Sequence, residues 1–174
     1  EDVDETLVAN SAITYLEGYL WDPPSAKGAF LKAMKAARAA GRQVALSLSD
    51  SFCVDRHRDE FMNLVQQYVD ILFANEQEIT SLYKTETFEG AMQSIRADCK
   101  IAALTRGEKG AVITTKEEVH IIKAEPIDKV VDTTGAGDLF AAGFLMGYCM
   151  GRSIPECGRI AGITAAEVIS HIGA

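Results

Sequence analysis

Two hydrophobic periodicities alternate along this chain, and that alternation restricts it to helices packed on a mostly parallel sheet. The apolar run over residues 12–20 predicts a strand feeding the turn Trp21-Asp22-Pro23-Pro24. Pro24 suits the first position of a helix, and Phe30, Leu31, Met34 and Ala37 then recur at helical spacing until Gly41 offers a C-cap. A strand follows over 44–48. Phe61, Leu64, Val65 and Tyr68 form the stripe of an amphipathic helix, and the continuous apolar run over 69–74 predicts a buried parallel strand. One or two helices fit 76–97, and a strand fits 101–105. Segments 110–115 and 118–122 read as antiparallel partners around Lys116-Glu117. Two long helices, over 137–149 and 155–171, close the chain. No internal repeat or linker-like stretch interrupts it, so residues 1–174 read as a single domain.

Composition narrows the classes of function. With 48% hydrophobic and 24% charged residues, the 174-residue chain has enough apolar material for a substantial core. Its apolar segments are short and broken by charge, as in Val69-Asp70-Ile71-Leu72-Phe73, whereas a membrane helix needs roughly 20 apolar residues. A formal charge of -8 opposes a sequence-independent grip on phosphate backbones, so neither nucleic acid nor membrane is an expected partner. Cys53, Cys99, Cys149 and Cys157 form no C-x-x-C pair, and His57, His120 and His171 lie far apart. That spacing indicates neither a zinc site nor a redox motif, and the cysteines read as reduced thiols of a cytoplasmic protein. The acidic stretch Glu1-Asp2-Val3-Asp4-Glu5 is unlike the basic start of a signal peptide.

The most informative segment is Asp132-Thr133-Thr134-Gly135-Ala136-Gly137-Asp138, directly followed by the helical run Leu139-Phe140-Ala141-Ala142. Gly135, Ala136 and Gly137 let the backbone turn tightly and present consecutive N–H groups, to which the following helix adds positive potential. Such an anion hole beside Asp138 holds a carboxylate where a hydroxyl and a transferring phosphoryl group can meet. A Gly-rich turn with an Asp also caps helices, and the short triplet leaves that reading open. A dinucleotide fingerprint fits poorly, because Phe140 stands where a glycine is required, and the Lys and Ser/Thr of a Walker A loop are missing.

The full string resembles the second signature of the ribokinase/PfkB carbohydrate kinase family, in which the closing Asp receives the proton of the substrate hydroxyl. Two further segments are similar to motifs of that family in the same order. Asn75-Glu76-Gln77-Glu78 resembles its N-x-x-E motif, which implies a role for Asn75 at ATP and for Glu78 at magnesium, through water; a capped helix start is the alternative. Thr105-Arg106-Gly107-Glu108-Lys109-Gly110 resembles its T-x-G-x-x-G segment, which implies that Thr105, Arg106, Gly107 and Gly110 lie along the nucleotide phosphates; an ordinary turn is the alternative. Leu46–Phe52, Tyr68–Glu76 and Ala161–Ile169 are similar to stretches of the adenosine kinase-like branch.

The resemblance implies a ribokinase-like α/β fold, with a Rossmann-type, mostly parallel sheet covered by helices on both faces. In such folds ligands collect at the trailing edge of the strands. It implies ATP and Mg2+ as cofactors and transfer of the γ-phosphoryl to a hydroxyl of a nucleoside, adenosine foremost, with a ribose- or fructose-type sugar kinase as the near alternative and a non-catalytic nucleotide-binding fragment as the other. Asp132 becomes a candidate ligand for a monovalent cation such as K+, near backbone groups around Gly173, or else a loop-holding acceptor. Gly162, Ile163 and Ala166 become candidates for the adenine site, with close helix packing as the other reading. The family's N-terminal half, with its first signature and lid, has no counterpart in this sequence, so the isolated chain is expected to be the C-terminal nucleotide-binding portion. Any homodimer would form through that lid.

Overall fold

The computed structural model describes residues 3–173. Glu1 and Asp2, from the acidic start read above, lie outside that range. The elements run α1 (Glu5–Asn10), β1 (Ile13–Glu17), α2 (Pro24–Ala39), β2 (Gln43–Ser47), α3 (Ser51–Gln67), β3 (Ile71–Asn75), α4 (Glu76–Tyr83), α5 (Phe88–Asp98) and β4 (Ile101–Thr105). β5 (Ala111–Thr115), β6 (Val119–Ile122), α6 (Ala136–Cys149) and α7 (Ile154–Val168) follow. The six strands form one mixed sheet in the order β1-β2-β3-β4-β5-β6. Backbone packing separates two compact units, one reaching to Ala102 and the other starting at Ala103.

In the first unit β1, β2 and β3 pair in parallel, with Leu16 opposite Leu46 and Leu46 opposite Leu72. The fully buried Leu46, Ile71 and Leu72 explain the continuous apolar runs, since both faces of these strands are covered. Asp70, the charge that interrupts the run before β3, is itself buried. Its carboxylate accepts the Val44 N–H at 3.0 Å and pairs with Lys100 at 2.7 Å and Arg38 at 3.8 Å. Each partner arrives from a different segment, so a charge that looks misplaced in sequence ties the leading ends of two strands together.

The structure departs from the sequence reading in four places, each for a local reason. The strand expected over 12–20 stops at Glu17, and Gly18–Trp21 is a 3-10 turn. A Cβ at Gly18 would lie 2.6 Å from the Ser47 carbonyl oxygen, and the Gly18 N–H donates to Ser49 Oγ. α1 was not foreseen; Asp4 caps it by accepting from the amides of Thr6 and Leu7. α3 begins ten residues before Phe61, capped by Asp50, but His57 has non-helical dihedrals (φ -123°, ψ 26°). That kink breaks the periodicity, so only the stripe from Phe61 was visible. The last helix ends at Val168, short of His171.

In the second unit β5 and β6 are antiparallel, with Val112 opposite Ile121. α6 and α7 pack with their backbones close. A Cβ at Gly143 would meet Thr164 Oγ1 at 2.4 Å and the Ala161 Cα at 3.0 Å, and one at Gly147 would meet the Cys157 Cα at 3.2 Å. Thr164 Oγ1 donates across this seam to the Leu139 carbonyl at 2.7 Å. Among the described residues no helix is long and apolar enough to cross a membrane.

Candidate active site

The first unit presents a group of carboxylates at the trailing ends of its strands. Asn75 closes β3 and caps α4: its Oδ1 accepts the Glu78 N–H at 2.8 Å, while Glu78 Oε2 accepts the Asn75 N–H at 2.9 Å and Oε1 accepts Asn75 Nδ2–H at 2.7 Å. The helix-start reading of Asn75 and Glu78 is thus realised, and it leaves lone pairs on both carboxylate oxygens for a further partner. Glu78 is only 5% exposed. Burial pushes its carboxyl up to about 7, against the pull of the Asn75 amide and with added push from Asp50 and Glu17. A carboxyl raised in this way contributes stability below its ordinary pKa of 4.5, and that contribution is lost as pH rises through about 7.

Sequence reading missed Glu17, Ser49 and Asp50. Ser49 sits in left-handed backbone at φ 63°, its Oγ accepting from Gly18 N–H at 3.1 Å and donating to Glu17 Oε2 at 2.8 Å. The left-handed serine therefore latches the end of β1 to the end of β2 and fixes the Glu17 carboxylate. A charge closing a strand was the available signal, hidden because the strand was read through to residue 20. Glu17 and Asp50 stand near enough to Glu78 to push its carboxyl up, but among the described residues the three carboxylates do not gather their oxygens around one point as the ligands of a single ion would.

The second unit holds the remaining predicted residues. Thr105 ends β4, and Arg106–Gly110 make a compact turn closed by the Arg106 N–H to the Gly110 carbonyl at 2.8 Å and the Gly110 N–H to the Gly107 carbonyl at 3.0 Å. Gly107 (φ 58°) and Gly110 (φ 84°) both use backbone that favours glycine. The turn reading is realised here, and it offers backbone groups more than side chains.

The string 132–138 follows the irregular loop 123–131, rather than a strand directly. Asp132 Oδ1 accepts the Thr134 N–H at 2.9 Å, and the amide and side chain of Thr134, with the Gly173 amide, hold its carboxyl below the usual carboxylate range. The amides of Val131 and Asp132 donate to the Ile169 carbonyl, tying the loop to the end of α7. Gly135 is the left-handed N-cap of α6 (φ 77°), and no side chain caps this end. The Ala136 N–H is used within the turn, donating to the Thr133 carbonyl at 3.2 Å. Of the three expected donors, Gly135, Ala136 and Gly137, the Ala136 N–H is therefore engaged; the amide of Gly137, and that of Asp138, which was not among the three, head the helix without an intrahelical acceptor. A Cβ built at Gly137 meets nothing within 4 Å, so the approach is open. Asp138 supplies a carboxylate in the first turn beside these donors.

A cleft of about 470 Å³ lies between the loop 125–129 and the last helix, lined by Glu125, Ile127, Lys129, Ile163, Ala166 and Glu167 among others. Two of the three proposed adenine residues, Ile163 and Ala166, line it. Gly162 flanks it, where a Cβ would meet only Glu125 Cγ, at 3.8 Å. Tight packing is thus not what Gly162 serves; Gly143, Gly147 and Gly158 do that work. The loop residues 125–129 were missed, since they carry no periodicity or motif.

A mixed six-stranded α/β sheet with these helix-start sites is the make-up of the ribokinase-like fold. The chain belongs to the pfkB family of carbohydrate kinases, whose model matches residues 1–174. A probable sugar kinase from Rhizobium etli is 54% identical with a TM-score of 0.96, over 99% of this chain and 52% of that structure. The adenosine kinase from Sinorhizobium meliloti is 51% identical with a TM-score of 0.96, over 99% of this chain and 53% of that one. A cytidine kinase from Thermococcus kodakarensis is 32% identical over 141 residues, covering 78% of this chain and 50% of its own length. The chain spans about half the length of the curated relatives it matches.

Proposed function

We propose that this chain is the nucleotide-binding portion of an ATP-dependent kinase that phosphorylates a hydroxyl of a nucleoside, adenosine foremost. The observation that carries this reading is the uncapped start of α6, where open amides and Asp138 stand side by side. Phosphoryl transfer asks for positioning and charge neutralisation more than covalent chemistry. Asp138 orients the acceptor hydroxyl and takes its proton, and the amides of Gly137 and Asp138 face the oxygens of the transferring group. The turn from Thr105 to Gly110 meets the nucleotide phosphates, and the cleft beside Ile163 and Ala166 takes the adenine, with Gly162 leaving room at its edge. Asn75 and Glu78, supported by Glu17 and Asp50, would hold hydrated magnesium, which when bound neutralises phosphate charge. Asp132 would serve a monovalent cation such as K+, in addition to holding its loop. The free thiols of the four cysteines suit a cytoplasmic setting.

Adenosine is put before a sugar on the segments similar to the adenosine kinase-like branch, such as Leu46–Phe52, together with the 51% identity to the Sinorhizobium meliloti enzyme. The near-equal similarity to a probable sugar kinase keeps a free sugar as the second reading. A side-by-side assay of the kinase with ATP and magnesium is expected to give adenosine a kcat/KM at least about tenfold above ribose or fructose, the discrimination a buried aromatic base can supply. A preference for the free sugars overturns the adenosine assignment. No phosphorylation of any hydroxyl substrate would favour a non-catalytic nucleotide-binding module that keeps the kinase scaffold.

Glu78→Gln keeps the side-chain volume but replaces one acceptor oxygen with a donor facing Asn75. The magnesium concentration for half-maximal activity is expected to rise about tenfold or more in that variant. An unchanged magnesium titration would leave Asn75 and Glu78 as helix-start residues only.

A further inference from the structure

A second cluster in the first unit combines donor types that the kinase chemistry does not use. Asp22 follows the 3-10 turn at Gly18–Trp21, while Cys53 and His57 lie four residues apart on α3. One carboxylate oxygen, the Cys53 Sγ and an imidazole nitrogen lie within 4.8 Å of one another. Sequence spacing hid the group, because its carboxylate comes from another segment and its pair on α3 is one Cys and one His. The kink at His57 takes the residue off the regular helical path and brings Nε2 to 2.7 Å from Asp22 Oδ1.

We propose that Asp22, Cys53 and His57 bind one zinc-class divalent ion. Sulfur, imidazole nitrogen and carboxylate oxygen together are the donor set of a borderline-soft tetrahedral ion, with a fourth position for water. The surroundings are built in the same sense. The other imidazole nitrogen, Nδ1, lies 3.3 Å from Glu60 Oε2, the carboxylate–histidine pairing that orients metal-bound imidazoles. Glu60 is held in place by Lys27 at 2.5 Å and by the Trp21 Nε1–H at 2.5 Å. Lys27 Nζ also stands 3.5 Å from Nδ1. Arg56 donates to Asp22 Oδ2 at 2.8 Å and, at the longer 3.4 Å, to Oδ1, whose nearer partner is His57 Nε2 at 2.7 Å.

The ion replaces the Asp22 Oδ1–His57 Nε2 contact: Nε2 ligates through its lone pair, the neutral ring carries its one proton on Nδ1 toward Glu60, and any proton on Nε2 leaves to solvent. Zinc bonds of about 2.0–2.3 Å set ligand atoms roughly 3.5 Å apart, so side-chain shifts of about 1 Å close the site. Cys53 Sγ, whose S–H now donates to the Gly18 carbonyl at 3.4 Å, coordinates as thiolate and gives its proton to solvent. Asp22 is half-exposed and provides the route in.

Calorimetric titration of the reduced chain with zinc chloride tests the site. Uptake of one ion per chain is expected, weakened at least about tenfold in Cys53→Ser and in His57→Gln and unchanged in Cys149→Ser. Cobalt in place of zinc should give a near-ultraviolet thiolate charge-transfer band that Cys53→Ser abolishes. Absence of stoichiometric uptake, or uptake and a cobalt band that persist in Cys53→Ser and His57→Gln, overturns the proposal. Should Cys53→Ser fail to fold, as a thermal melt would show, His57→Gln with the cobalt spectrum still decides.

Discussion

Exchange of Asp138 for asparagine is expected to lower kcat by about 10²-fold or more while leaving ATP affinity near its starting value, the signature of a lost general base. Asparagine is nearly isosteric and tolerated in a helical first turn, so the backbone amides at positions 137 and 138 would still head α6 and still face the phosphoryl oxygens. What the variant loses is a group able to take the hydroxyl proton. The cleft between the loop 125–129 and the last helix, proposed above for the adenine, does not include position 138, so nucleotide binding has no reason to change. Steady-state kinetics with a parallel ATP-binding titration check both halves of the expectation. Near-normal turnover would remove Asp138 from the role of base, and a matching loss of ATP affinity would make it a binding residue.

Gly110→Ala is expected to cost about 4 kcal/mol or more of folding stability, beyond the range of ordinary substitutions. Gly110 has φ 84° and ψ -133°, a region closed to residues with a Cβ. Its Cβ would also stand 2.1 Å from the Ile122 carbonyl oxygen and 2.7 Å from the Ala124 amide nitrogen. Both obstacles are backbone at the end of β6, so neither can rotate away. Gly107, in the same turn, is the control. It shares a positive φ, 58°, but its Cβ would meet nothing within 4 Å, so Gly107→Ala should cost only about 1–2 kcal/mol. Denaturant unfolding of the two variants separates backbone strain from steric exclusion. Equal midpoints would show that the turn relaxes away from β6.

How much of this was legible in the sequence depends on which forces act locally. β3 and β4 were readable because a strand covered on both faces must be a continuous apolar run, and α2 because Pro24 and a helical stripe coincide. The string 132–138 was readable for a similar reason: tight turns and open amides demand glycine, and glycine is visible. α1 escaped because its six residues bury nothing and rest on one cap at Asp4. Glu17 and Ser49 escaped because their meaning is made by pairing between β1 and β2. Asp70 reads as an interruption until Val44, Arg38 and Lys100 are brought to it. Ala136 shows the finer limit: its residue type fits an anion hole, but whether its N–H faces a ligand or the Thr133 carbonyl is decided by a single peptide orientation.

The glycine seam between α6 and α7 also bears on how this chain would tolerate change. Gly143 and Gly147 lie one and two turns beyond Leu139, and they bring the two backbones so close that α6 cannot slide or roll without steric collision. The direction in which the open end of α6 points is therefore set well away from that end, by residues buried in the helix seam. An added methyl group at Gly143 would be transmitted along a rigid rod and arrive at Asp138 as a change of aim. A substitution along this seam would therefore be felt at the far end of the helix, away from where it is made.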